Sequence, residues 1–528
     1  MKQISSSLRF SVNLGLKVIL IGAIALLLIS CSSRAIIDLS PDYKPVKFVV
    51  PEDWSGSGPF EVATPADSKD RGEWWKVFND PVLNELEDKL NANNPELQIA
   101  AEWFIQARYE MMKVRSSYLP HVGVGVDYTR NQRTVTDLLH GDIDSSPPNS
   151  SSSLFGLASW EPDIWSSLRN ATTAQVYKAQ ESAAQYGAIK LMLQAELASH
   201  YFTLRGFDAQ NAIYQQSIEY YKKSLNIINT QFQGNIGSKI DVARSEFLLA
   251  NTEARQLNIE AERQVTEHAI AILLSASPTS FKIAPVGQFN VPDIKIPDVL
   301  PAKLLERRPD IAALERRMAQ ANKMIGISRA AFFPNINLNV GESLLSLINS
   351  SNFVWSFGSI LDLNLFKGGY RRAQLQQSWS IYRETLNEYR SGVLNAFMEV
   401  ENGISKTQLI SQELQKQKKA VASASQTQTL SMKLFRGGLD SGLQLIYSQV
   451  DTLESRIREA EIKSSLMQSS VFLIRSLGGG WSDNQLPKDD EIQPFSTFQY
   501  TDLDNINTIG GIPQSDPQKH ANLSTSNN

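Results

Sequence analysis

Apolar side chains recur in steps of three and four along a proline-free stretch from Ser166 to Gln233, 68 residues in all. Ala188, Leu191, Ala195, Ala198 and Phe202 form one stripe; Tyr214, Ile218, Tyr221, Leu225, Ile228 and Phe232 form another. So narrow a stripe suits a helix packed on another helix rather than the broad face of a globular-domain helix. At about 1.5 Å per residue the helix would be roughly 100 Å long. The step from Phe202 to Tyr214 breaks the phase and predicts a stutter. Gly234-Asn235-Ile236-Gly237 then interrupts the pattern, and Ser238 offers an N-cap. The stripe resumes through Ile240, Ala243, Phe247, Ala250, Ala254, Leu257 and Ala261, to about Ser275. The stretch predicts a very long antiparallel helical hairpin.

Upstream, a helix is expected from about Pro81 to Ser116, broken at Asn93-Asn94-Pro95. After Tyr118-Leu119-Pro120 the period changes to two. Val122, Val124, Val126 and Tyr128 alternate with Gly123, Gly125, Asp127 and Thr129, as in a strand with two unlike faces. A polar loop from His140 to Ser153 leads to a second strand ending near Trp160.

The same order then returns. A helix from Ala302 to Arg329 meets Phe333-Pro334, and Ile336, Leu338 and Val340 alternate with Asn335, Asn337 and Asn339. A further strand presents Phe353, Trp355, Phe357, Leu361, Leu363 and Leu365 on one face. A long helix follows through Trp379, Tyr382, Leu386, Tyr389, Val393, Ala396 and Val400 to a break at Gly437-Gly438. Its partner runs from Gly442 to about Leu477. Phe232 to Ser238 matches Phe435 to Ser441 at an offset of 203, and Pro120 matches Pro334 at an offset of 214. The chain is an internal duplication of one strand–hairpin unit.

Charge and cysteine content narrow the possibilities. The formal charge is −4 with no basic block, which argues against a nucleic-acid partner. Cys31 is the one cysteine, so neither a disulfide within the chain nor a zinc site built on cysteines is possible. Lys2, Arg9 and Lys17 precede a 12-residue apolar run from Val18 to Ile29, shorter than the roughly 20 residues a spanning helix needs. The run ends in Leu28-Ile29-Ser30-Cys31, which resembles a bacterial lipobox with Cys31 as the acylated residue. Ser32 after it fits sorting to the outer membrane.

Two strands and one hairpin per repeat give four strands per chain. The smallest transmembrane barrels have about eight, so a barrel here needs several chains: eight strands from two, twelve from three. Strands with aliphatic and aromatic residues on one face and Asn, Gly, Ser and Thr on the other suit lipid outside and water inside. A soluble sheet attached to a coiled coil is the alternative. No catalytic constellation is present: the histidines are scattered, and there is neither a phosphate-binding loop nor a GxSxG motif. No cofactor or metal is expected, and the chain reads as a non-enzyme.

The stretch LLERRPDIAALERRMAQANKMIGISRAAFFPNINL from Leu304 resembles a signature of the TolC-like outer-membrane factors, in their lipid-anchored OprM/NodT-like branch. WWKVFNDPVLNELEDKLNANNPEL, SWEPDIWSSLRN, TQFQGNIGSKIDVARSE, LFRGGLDSGLQLI and LGGGW match in the same order, between Trp74 and Trp481. The resemblance implies a fold that is mainly α with a membrane β-barrel: a homotrimer with a 12-stranded barrel in outer-membrane lipid and a 12-helix periplasmic tube. It implies a periplasmic adaptor and an inner-membrane transporter, RND type or ABC, as partners. The implied function is the exit duct of a tripartite system exporting drugs or other small molecules. A duct for type I protein secretion, or a structural coiled-coil lipoprotein, are the alternatives.

The expected organisation is a signal peptide (1–30), a lipid-anchored extended linker (31–73), a first repeat (74–284), a linker (285–301), a second repeat (302–481) and a polar, disordered tail (482–528). The candidate site is the pair of hairpin turns, where the tube would narrow and the adaptor dock. It comprises Gly234, Gly237, Ser238 and Asp241 in the first turn, and Arg436, Gly437, Gly438, Ser441, Gln444 and Tyr447 in the second. Three copies of Asp241 would latch the closed end by pairing with Lys239, Arg244 or Arg436; the alternative is that Asp241 only favours the N-terminus of its helix. The resembling family commonly has acids where this chain has Gln444 and Tyr447, so an acidic ring from the second turn is in doubt. Pro162, where the family often has leucine, would kink the exit from strand to helix.

Overall fold

The computed structural model describes residues 37–43, 72–132, 134–136, 143–145, 148–287, 291–292, 307–347 and 350–496. Two units divide the chain, one built on strands and one on helices.

The strand unit takes in residues 113–174 and 321–380 together with the N-terminal segment. Strands β1 (His121–Asn131), β4 (Asn149–Trp160), β5 (Asn335–Leu347) and β6 (Ser350–Asp362) form one antiparallel sheet in that order. Two short strands, β2 (Thr134–Thr136) and β3 (Ile143–Ser145), pair in the connection between β1 and β4. The expected loop from His140 to Ser153 is therefore corrected: its last five residues belong to β4. Serine carries no alternating apolar signal, yet Ser150 to Ser153 pair through the backbone with Arg130 to Asp127. Thr129 and Ser151 add a hydroxyl–hydroxyl bond of 2.7 Å across the ladder.

Val122, Val124, Val126 and Tyr128 are exposed on one face of β1, and Trp355, Phe357 and Leu361 on β6. The register sets Val126 beside Leu154, and Val122 beside Ala158, Val340 and Phe357 in turn, so the apolar face is continuous. On the other face the Phe155 ring lies over Gly125, where an added Cβ would come within 2.4 Å of it. Among the described residues, no partner covers the outer edge of β1 or of β6.

Residues 37–43 are clasped to this unit. Asp38 accepts from Asn170 Nδ2 at 2.9 Å and pairs with Lys323 Nζ at 3.2 Å. Arg329 Nη1 donates to the Leu39 carbonyl at 3.0 Å. Gly326 makes room: a Cβ there would lie 2.9 Å from Ser40 Cβ. Where β4 ends, Ile164 N bonds back to the Pro162 carbonyl, and Trp165 stacks on Phe333 at 4.5 Å.

The second unit takes in residues 72–112, 175–320 and 381–496 of the described chain. Helices α1 (Pro81–Asn93) and α2 (Pro95–Ser116) lead into α3 (Ser167–Gln233) and α4 (Lys239–Leu273); α5 (Pro309–Ala330) leads into α6 (Tyr370–Arg436) and α7 (Gly442–Ser476). Asp80 caps α1, accepting from Val82 N and Leu83 N, with Pro81 at the first helical position. The break at Asn93-Asn94-Pro95 is a second cap: Asn94 Oδ1 accepts from Leu97 N at 3.0 Å. Trp75, Leu83, Leu90, Phe104, Leu193, Leu197 and Tyr201 form the buried core around α1 to α3.

The duplication is close in the backbone. α2 and α5 each have 22 residues, α3 and α6 each 67, and α4 and α7 each 35. The offset is 214 from the first of these helices to the start of the first strand, and 203 from the long helices onward. The difference of 11 is the longer β1–β4 connection that carries β2 and β3.

Where the apolar stripe of α3 lapses between Phe202 and Tyr214, the helix runs on unbroken. Charged side chains are buried there instead. Asp208, on α3, accepts from Arg205 Nη1 at 2.9 Å and Arg263 Nε at 2.6 Å. Arg263 also reaches Glu267, which pairs with Lys282 at 3.0 Å. The cluster holds the segment 281–287 onto the hairpin: Ile283 N and Val286 N donate to Glu267 and Asp208, and the Ile283 and Ala284 carbonyls accept from Arg263 and Arg205.

The expectation of a disordered tail is corrected for its first fifteen residues. Ile492, in a four-residue helix α8 (Asp489–Ile492), is fully buried, and its carbonyl accepts from Arg108 Nε at 2.9 Å. The Pro487 carbonyl accepts from Gln180 Nε2 at 3.1 Å. Ile492 and Pro487 are buried and Phe495 packs on Tyr109, anchors too few and too irregularly spaced for periodicity to register. Residues 497–528 lie outside the described part of the chain.

Candidate functional site at the hairpin tips

Both turns close by one device. After α3, the amides of Ile236 and Gly237 return to the Gln231 carbonyl at 2.9 and 3.0 Å. After α6, Gly438 N bonds to Phe435 O and Leu439 N to Leu434 O. This is the 6→1 closure of a helix C-terminus, which needs a left-handed residue. Asn235 fills that position in the first tip (φ 59°) and Gly438 in the second (φ 70°), 203 residues apart. Gly237 meets a different need, since a Cβ there would lie 2.9 Å from Phe232 N. Gly234 and Gly437 are exposed turn residues.

The serines at offset 203 start the returning helices. Ser238 Oγ accepts from Ile240 N at 3.2 Å, and Ser441 Oγ from Gln444 N at 3.4 Å. Both cap free amides at the first turn of a helix.

Behind the turns the two hairpins share a core. Ile228 from α3, Met432 and Phe435 from α6, and Leu445 from α7 are buried together, with Val242 of α4 and Tyr220 beside them. About two turns deeper, Tyr214, Tyr221, Leu248 and Leu453 form the next cluster. Tyr221 OH donates to the Gln449 carbonyl at 2.9 Å, and Gln449 Nε2 donates to Ser224 Oγ at 3.0 Å. Burial raises the pKa of Tyr220, and the nearby charge of Arg436 opposes that shift without cancelling it.

Asp241 rests against the other hairpin. An added Cβ at Gly442 would lie 2.9 Å from Asp241 Cγ, so the first turns of α4 and α7 approach as closely as they do because residue 442 has no side chain. Its counterpart in the first repeat is Lys239, so the arrangement is not repeated at the other tip. In the sequence Gly442 marks only the start of a helix; the signal for its role is a glycine standing where its repeat mate has lysine. Within the chain, Asp241 makes no ion pair with Lys239, Arg244 or Arg436 among the described residues. Gln444 and Tyr447 are exposed, as are Ile236, Ile240 and Leu439. Cys31 lies outside the described residues.

Among the described residues, no group of three or more His, Cys, Asp or Glu is placed to hold a metal ion. No described helix is long and apolar enough to cross a membrane.

The sequence model described as "Outer membrane efflux protein" matches residues 86–276 and 300–479. The pyoverdine export outer membrane protein OpmQ of Pseudomonas putida is 28% identical over 415 residues, 77% of this chain and 88% of that one. The cation efflux system protein CusC of Escherichia coli is 25% identical over 466 residues, covering 87% and 97% of the two chains. Among solved structures, the outer-membrane channel OprN superposes with a TM-score of 0.77 at 25% identity, over 84% of this chain and 99% of that one.

Proposed function

Because the chain belongs to the outer membrane efflux protein family, we propose that three copies close into one duct, which passes small molecules from a periplasmic adaptor to the cell exterior. The chain is an outer-membrane efflux channel and not an enzyme. Its place is the bacterial outer membrane, extending into the periplasm.

The observation that carries the reading is the four-stranded sheet. Its exposed face is aliphatic and aromatic, and both outer edges are unpaired among the described residues. In lipid an unpaired backbone group costs several kcal/mol, so such a sheet is stable there only when further copies complete a ring. Three chains supply twelve strands and four long helices each.

The adaptor docks at the hairpin tips, with an RND-type or ABC transporter behind it in the inner membrane. Asp241 against Gly442 forms part of the narrow end, and exposed Ile236, Ile240, Leu439 and Tyr447 supply apolar contact. Small-molecule cargo fits relatives named for pyoverdine export and cation efflux. The two repeats span 74–284 and 302–481, joined by 285–301, and Cys31, freed by removal of 1–30, carries the lipid.

The test is crosslinking in native membranes followed by single-channel recording in planar bilayers. Trimers with stable conductance are expected; a folded, membrane-inserted monomer would refute the duct. Cys31→Ser should lose palmitate labelling and keep the conductance.

A further inference from the structure

The duplication determines more than the chain's own ladders. Within one copy, β4 pairs with β5, joining the last strand of the first repeat to the first strand of the second. If the ring is built from equivalent repeats, β6 stands to β1 of the next copy as β4 stands to β5. We infer that this seam between copies has a defined register, with Leu361 opposite Val126, Ser359 opposite Tyr128 and Phe357 opposite Arg130 of the neighbouring copy. The inference rests on the oligomeric duct proposed above and specifies how its copies join.

The register follows from observed pairs. Partner numbers in the β4–β5 ladder add to 498, as in Ser151 with Leu347 and Trp160 with Leu338. β1 maps onto β5 at an offset of 214, as Pro95 and Pro120 map onto Pro309 and Pro334. The β1–β4 partners add to 280 and the β5–β6 partners to 697. With β5 displaced by 214, β4 must map onto β6 at 203, the difference between 697 and 280 less 214. That is the offset relating α3 to α6 and the two tips, obtained here from strand pairing instead. Raising 498 by 203 and lowering it by 214 gives 487 for the seam, which pairs Ser356 to Asp362 with Asn131 to Gly125 of the neighbour.

The faces agree with this register, as equivalence of the repeats requires. An odd sum sets even-numbered residues of β1 opposite odd-numbered residues of β6. The exposed apolar residues of β1 are even-numbered (Val122, Val124, Val126, Tyr128), and those on the apolar face of β6 are odd-numbered (Trp355, Phe357, Leu361). The inferred seam therefore carries the apolar face across the junction without a break. A slip of one residue would turn the valines to the opposite side. The seam also occupies the two strand edges that have no partner among the described residues.

The experiment uses paired cysteines in the full chain in outer membranes, oxidised with copper phenanthroline and run without reductant. Directly opposed Cβ atoms lie about 4.5–5.5 Å apart and those two residues out of register about 7–8 Å. A disulfide needs about 3.5–4.5 Å, so the direct pair is favoured. Tyr128→Cys with Ser359→Cys should give covalent dimers and trimers, and each single variant should give none. Tyr128→Cys with Leu361→Cys or with Phe357→Cys should give markedly less. Val124→Cys with Leu363→Cys repeats the test four residues along the strands, should the first pair disturb insertion. Stronger crosslinking in a shifted pair would overturn the register and leave the duct standing. Membrane-inserted chains that form no crosslink between copies in any pair would overturn the duct as well.

Discussion

Asp208 and Arg263, 55 residues apart in sequence, meet at 2.6 Å between α3 and α4, with Asp208 almost wholly buried. Together with Arg205, Glu267 and Lys282 they pin the segment that leaves the first repeat. Removing one member of a buried pair strands the other charge, at a cost of about 3–5 kcal/mol. Asp208→Ala should therefore lower the unfolding temperature of the purified oligomer in detergent, and Asp208→Asn, which can still hydrogen-bond, should lower it less. Equal stability of parent and Asp208→Ala would show that this cluster does not hold the linker.

The contact between Gly442 and Asp241 predicts a gate phenotype from a single methyl group. Gly442→Ala forces Asp241 aside, because the new Cβ would lie 2.9 Å from its Cγ. Both Gly442→Ala and Asp241→Ala should raise single-channel conductance without changing oligomer yield. Combined, they should do no more than the larger single effect, because they remove one contact. Additive increases would mean that the two residues act at separate points of the tip.

The N-terminal clasp should survive mild acid. Partial burial pushes the Asp38 carboxyl up, but bonds from Ser40, Asn170 and Lys323 outweigh it and hold the pKa at about 2, below the ordinary 3.8. A lowered folded pKa adds stability that is present above the unfolded value and lost as pH falls through the folded one. Pepsin nicking of residues 37–43 should stay low near pH 4 and rise as the pH falls to about 2. Lys323→Ala should move that rise to higher pH. A rise at the same pH in both proteins would remove Lys323 from the clasp.

Truncation should separate the two parts of the tail. Ending the chain after Ser496 leaves Ile492 and its bond to Arg108 in place, and stability should be unchanged. Ending it after Trp481 removes the acceptor for Arg108, whose Nη1 is already without a partner in the core. An unsatisfied buried charged group costs at least about 1–3 kcal/mol, so this shorter chain should unfold earlier on heating. Identical melting of the two truncated chains would make 482–496 dispensable.

Periodicity alone determined the long hairpins, the alternating strands and their duplication. Steps of three and four, or of two, report which side of an element is buried, and that is a local property of the chain. The caps and turns were equally legible, because Ser238, Ser441 and the glycine-rich tips act within a few residues of themselves. What the tertiary structure decided depends on residues distant in sequence. Ser150 to Ser153 are strand because Arg130 to Asp127 supply their backbone partners, and no side-chain pattern announces that. The polar gap in α3 holds buried charges because Arg263 and the 281–287 segment arrive from elsewhere with the matching donors. Gly442 is tied to Asp241 by the crossing of two helices from different repeats. Local pattern specifies which elements form and which way they face; which polar groups go inside is decided by the partners that three-dimensional packing brings to them.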